Sequence, residues 1–143
     1  MARLNSETEM LEAKAQETID SFVLFYKENA LSLPCRKVEL TGRKSKNSKI
    51  ISTLLGFELQ IGKKRFSCPD MATALFLRIF SLIGSREVMV PLDPTRTADM
   101  VPELENRLNQ IFKIITHLED NDKRLARLLH NRLKSKIKNL VTR

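Results

Sequence analysis

The sequence predicts a small single α+β domain over residues 1–143, with an N-terminal helix, a β-hairpin plus short strands, a buried central helix and a C-terminal antiparallel helical hairpin. Three observations carry that prediction. Apolar residues recur at helical spacing in four stretches, they alternate with polar ones between those stretches, and Gly or Pro stands at most of the joints. Three parts follow: a helical part in 1–34, a β-rich part holding the central helix in 35–92, and the helical hairpin in 93–143. A chain of this length buries a contiguous core without disulfide or metal. A hydrophobic fraction of 42% places it with globular proteins rather than with disordered basic tails.

Ser6 with Glu9 three residues on is a capping box, so the first helix is expected to start there. Leu11, Ala15, Ile19, Phe22 and Tyr26 form its stripe, and Pro34 ends it. Cys35 to Leu40 reads as a short strand with Val38 and Leu40 inward. Ser48 then caps a short helix over 49–55 closed by Gly56, with a strand as the alternative because Ile50 and Ile51 are β-branched.

Phe57 to Cys68 reads as a hairpin with Gly62-Lys63 in a two-residue II′ loop. That register sets Leu59 opposite Phe66 and Phe57 opposite Cys68, apolar against apolar. Pro69 at the first helical position opens the central helix and Gly84 closes it. From Met71 to Ile83 only Thr73, Arg78 and Ser81 interrupt the apolar residues, which marks a helix at the hub of the core. Glu87 to Pro91 is a strand, and Asp93-Pro94-Thr95 a turn. A long helix is expected to begin between Thr97 and Val101, with Pro102 in its first turn. The acidic run 119–122 breaks it, and a last helix carries Leu125, Leu129, Leu133 and Ile137. A short helix, a hairpin and a helix over 48–92 are parts of a winged helix-turn-helix. The order of two helices followed by a wing is absent.

Charge is unevenly placed. Residues 36–65 hold nine Lys or Arg against Glu39 and Glu58, and residues 123–143 hold eight more and no acid. The other two blocks are net acidic, although the whole chain carries +8. Two basic zones on a mildly acidic body suit a polyanion, because phosphates reward clustered cations.

Catalytic groups are sparse. His117 and His130 read as surface or cap residues, and no Cys or His pair has zinc spacing. Cys35 and Cys68 read as reduced, Cys68 buried beside Phe57. Asp93, Asp99, Glu103 and Glu105 complement the positive end of a helix dipole. The loop 42–49 has Asn47 where a phosphate loop needs its second glycine and Ser48 where it needs lysine. The sequence thus predicts no enzyme, no cofactor, no metal and no catalytic residue.

The expected function is that of a non-enzymatic nucleic-acid-binding accessory protein contacting DNA or RNA phosphates. Its contacts are Arg43, Lys44, Lys46 and Lys49 in the loop, and Lys63, Lys64 and Arg65 at the hairpin tip. Arg127, Arg132, Lys134, Lys136 and Lys138 add the last helix. Six of the seven Phe lie in apolar stripes, and the basic zones add only the inward Phe57 and Phe66, which argues against sequence-specific single-strand readout by stacking. The alternative is a protein–protein interaction subunit of a larger complex without nucleic-acid contact. Phe22, Phe25 and Tyr26 would then meet a protein partner or a second copy, since 22–26 is apolar around nearly a full turn. Met1 to Glu17 carries acids and no apolar leader, and the apolar run Met71 to Ile83 is too short for a bilayer. An intracellular protein, cytoplasmic or nuclear and off the membrane, is the expectation.

Overall fold

The computed structural model describes the backbone of residues 2–40 and 47–141 and, within these, side chains from residue 7 onward. The chain order is α1 (Ala2–Phe25), a π-helical turn (Tyr26–Ala30), β1 (Cys35–Glu39), β2 (Lys49–Thr53), β3 (Gly56–Ile61) and β4 (Lys64–Cys68). It continues through α2 (Met71–Ile83), β5 (Glu87–Pro91), α3 (Pro94–Asn121) and α4 (Lys123–Val141). This is an α+β fold with two antiparallel sheets: β1 pairs with β5, and β2, β3 and β4 form a meander.

Helix α1 begins ahead of Ser6, so the capping-box sequence lies inside the helix rather than at its start. Of the stripe that the spacing predicts, Ala15, Ile19, Phe22 and Tyr26 are fully buried and Leu11 is half-buried, and Ala30 one turn on joins the buried face. The last turn widens, and the Leu31 N–H reaches back five residues to the Tyr26 carbonyl at 3.1 Å.

Segment 49–53 is a strand, not the short helix. Ile50 stands opposite Leu59 and Ser52 opposite Phe57, so the segment continues a ladder that the β3–β4 hairpin already presents. That hairpin has the register the alternation predicts, Phe57 against Cys68 and Leu59 against Phe66. Gly62 supplies the positive φ of +59° at its tip. At the other end of β3, Gly56 has φ +133°, and a Cβ there would lie 2.8 Å from the Cys68 carbonyl oxygen. Gly56→Ala therefore combines backbone strain with a backbone clash and is expected to cost about 2–4 kcal/mol. Urea unfolding measures this, and an unchanged midpoint would show that the turn relaxes freely.

Pro69 precedes the cap of α2 instead of occupying its first position. Asp70 is the cap, its carboxylate accepting from the Thr73 N–H at 2.7 Å. Gly84 ends the helix in the left-handed region, donating to the Phe80 and Ser81 carbonyls. Phe76 and Phe80 of α2 meet Phe22 and Tyr26, with ring centroids 4.8–6.2 Å apart. The role of hub is shared, because α3 packs against α1, α2, α4 and β5.

Helix α3 begins at Pro94, earlier than the range 97–101. Asp93 caps it by accepting from the Thr95 N–H at 2.9 Å, and the buried Thr97 hydroxyl donates to the Asp93 carbonyl at 3.0 Å. Asp93-Pro94 is thus a cap followed by a proline at the first helical position. Pro102 consequently lies inside the helix, not in its first turn. Asp122 alone joins α3 to α4: its N–H closes α3 on the Leu118 carbonyl, and its carboxylate accepts from the Leu125 N–H. The two helices run antiparallel, with Phe112 stacked on His130 at 5.8 Å. None of the described helices is long and apolar enough to cross a membrane.

Candidate functional site

The meander gathers cations by register. Lys49 on β2 pairs with Gln60 on β3, and Gln60 pairs with Arg65 on β4, so Lys49, Gln60 and Arg65 form one row across the sheet. Neighbouring strands lie about 4.8 Å apart, which sets the two cationic residues roughly 10 Å from each other at the backbone. Lys63 and Lys64 sit in and beside the adjoining turn, and all four cations are exposed. Glu58, a largely covered carboxylate that also accepts from Gln60 Nε2 at 3.0 Å, approaches the Arg65 guanidinium at 3.7 Å, while the guanidinium itself is mostly exposed. Arg43, Lys44 and Lys46 lie outside the described residues.

The second basic zone rests on different elements. Helix α4 buries Ala126, Leu129, Leu133, Ile137 and Val141 against the core, packing on α1, α3, β5 and α2, while the meander leans on α2 through β3 and β4. Arg127 and Lys138 are exposed, while Arg132, Lys134 and Lys136 are half-buried. Lys136 is committed to Asp20 of α1 and ties those helices together.

Between the end of α3, the first half of α4 and the C-terminus of α2 lies an open groove of about 450 Å³. Lys123, Arg127, His130, Asn131 and Lys134 line it along α4, Glu119 stands at its α3 side, and Ile83, Ile115 and Ala126 contribute apolar surface. His130 is held by its stack on Phe112, and its Nε2 lies 2.7 Å from the Ile83 carbonyl at the end of α2. That contact makes His130 an inter-helix cap. The sequence signal for the groove was the stripe Lys123, Arg127, His130, Lys134 at spacings of four, three and four, but only packing turns it toward a cleft.

Because α3 starts at Pro94, no acid lies in its first turn, and Glu103 and Glu105 do not serve its dipole. Three of the four carboxylates have structural partners instead. Asp93 caps the helix, Glu103 accepts from Arg107 at 2.7 Å, and Glu105 faces Arg78 at 3.9 Å. Burial pushes the thiols of Cys35 and Cys68 above their ordinary range, for Cys68 against the lowering influence of the Leu59 backbone and then of Arg36. Both cysteines are free.

Phe22 and Tyr26 offer no surface to a partner, because both are fully buried in this chain's own core. Phe25 is half-buried beneath the Arg107 guanidinium, which sits 4.7 Å from its ring centroid and also donates to the Ser21 carbonyl. In the same segment Leu24 is exposed, and the largest apolar exposure is on the meander. Leu54 and Leu55, which the sequence pattern sets at the end of a short helix, stand instead between β2 and β3 and are 105% and 92% exposed.

Comparison with family models, with curated proteins and with solved structures finds no match to this chain.

Proposed function

We propose that this protein is a non-enzymatic nucleic-acid-binding accessory protein that holds DNA or RNA by its phosphate backbone. The observation that carries the reading is the row Lys49–Gln60–Arg65 with Lys63 and Lys64 beside it, four exposed cations at one end of one sheet. A rigid ribbon presents these charges with little backbone entropy left to lose. Phosphates bound there release condensed counterions, which drives association without reading sequence. The groove along α4, with Lys123 and Arg127, provides a second place for phosphate. The two free thiols accord with a reducing compartment, cytoplasm or nucleus.

The test is a salt titration of binding to a short duplex and to a single strand. Four phosphate contacts give a slope of log K against log salt of about −3 to −4 on a duplex, or roughly a hundredfold loss between about 50 and 200 mM. Lys63→Glu with Lys64→Glu and Arg65→Glu is expected to remove that binding. The thermal midpoint should move little, since exposed substitutions cost about 0.5 kcal/mol or less. Absence of binding at low salt would refute the reading.

A further inference from the structure

The two sheets have four outer edges, and three of them are blunted against pairing with another chain. β1 carries Arg36, Lys37 and Glu39, and β4 carries Lys64 and Arg65, charges of the kind that keep an edge in water. The free side of β5 is occupied at its centre, where the Tyr26 hydroxyl donates to the Met89 carbonyl and accepts from the Met89 N–H. Among the described residues β2 has only Lys49 at its start as such a device. After Lys49 it reads Ile50, Ile51, Ser52, Thr53, without proline or further charge, and its ladder partner among the described residues is β3 alone. Ile51 is 41% exposed on its outer face, and the same hairpin ends in the uncovered Leu54 and Leu55. An open edge of this composition is a template for one more strand.

We propose that β2 pairs antiparallel with β2 of a second copy of this chain, about a two-fold axis at Ile51, to join two meanders into one six-stranded sheet. The strand is self-complementary in that register. Ile51 meets the second copy's Ile51 on the outer face, Ile50 meets Ser52 on the inner face, and Lys49 meets Thr53. The two Lys49 side chains stand four residues apart, about 14 Å at strand rise, whereas parallel pairing would set them side by side. Leu54 and Leu55 run alongside Ser48 and Asn47 of the second copy and lose solvent there. An isologous contact of this kind closes on itself and stops at a dimer. Lys49 belongs to both the cationic row and this edge. The proposal still stands apart from nucleic-acid binding, because its test reads the mass of the chain alone and its variant changes Ile51, outside the row.

Sedimentation equilibrium of the full chain from about 1 to about 200 µM, with Ile51→Lys beside it, tests this. The wild-type chain is expected to approach twice the monomer mass as concentration rises. Ile51→Lys places two ammonium groups at the axis and is expected to remain monomeric, with an unchanged thermal midpoint at the lowest concentration. The register has its own readout: in a Cys35→Ser background, Ile51→Cys should form disulfide-linked dimers on mild oxidation, and Lys49→Cys should not. A wild-type chain that stays monomeric overturns the proposal, even if it accepts a foreign extended peptide. Dimers that survive Ile51→Lys, or cross-links at 49 in preference to 51, overturn it as well.

Discussion

Phe80→Ala is expected to remove about 3–5 kcal/mol of stability, a large part of the 5–15 kcal/mol typical of a domain. Phe80 is fully buried, and its ring touches three others: Tyr26 at 4.8 Å, Phe76 at 5.1 Å and Phe22 at 5.9 Å between centroids. These rings come from α1, the π-helical turn and α2, so the truncation opens a void where three elements meet. Rings on two rigid helices cannot collapse into that space without moving the helices, which is why the loss should exceed simple transfer of the side chain. Urea unfolding with the slope compared to wild type measures it. A loss below about 1 kcal/mol would mean that the helices slide together and the cluster is loosely packed.

Tyr26→Phe keeps the ring and deletes one oxygen, yet it is expected to cost about 2–3 kcal/mol. The hydroxyl replaces a neighbouring strand for β5, donating to the Met89 carbonyl at 3.1 Å and accepting from its N–H at 3.0 Å. Without it, both main-chain groups lose their partner at a half-buried edge. Alkaline pH supplies a second readout. Burial raises the Tyr26 phenol well above its ordinary value, outweighing the contact with Met89 that lowers it. Below the unfolded pKa of about 10 the neutral buried phenol contributes fully. As pH rises past that point the unfolded chain ionises first, and stability falls toward the folded pKa. Cys35 and Cys68, also raised by burial, act with the same sign from about pH 8.5. Tyr26→Phe should therefore start lower at neutral pH and decline less steeply above pH 10. An alkaline decline identical in both proteins would remove Tyr26 as its source. Because Tyr26 and Phe80 touch, the two substitutions together should cost less than the sum of each alone.

Much of the fold was legible because its signals are local. The 57–68 hairpin is written in alternation and one glycine, the end of α2 in Gly84, and the faces of α1, α3 and α4 in three- and four-residue spacing. Each depends on residues within a turn or a strand of one another. The start of α3 was local too, but Asp93-Pro94 has the composition of a turn as well as of a cap, and the buried Thr97 hydroxyl settles the matter.

Other features needed the whole chain. Whether 49–53 is helix or strand depends on a ladder offered by residues 56–61, and its β-branched pair serves either until that ladder exists. Phe22 and Tyr26 looked surplus to one core face until α2 closed over them, and Tyr26 finds Met89 at a separation of 63 residues. The same division holds for the candidate site. The identity and clustering of the cations belong to the sequence by itself, since charge needs no fold. Their row from Lys49 through Gln60 to Arg65, the turn of Lys136 toward Asp20, and the groove beside α4 were decided only by tertiary structure, because pairing and packing choose the direction in which each side chain is spent.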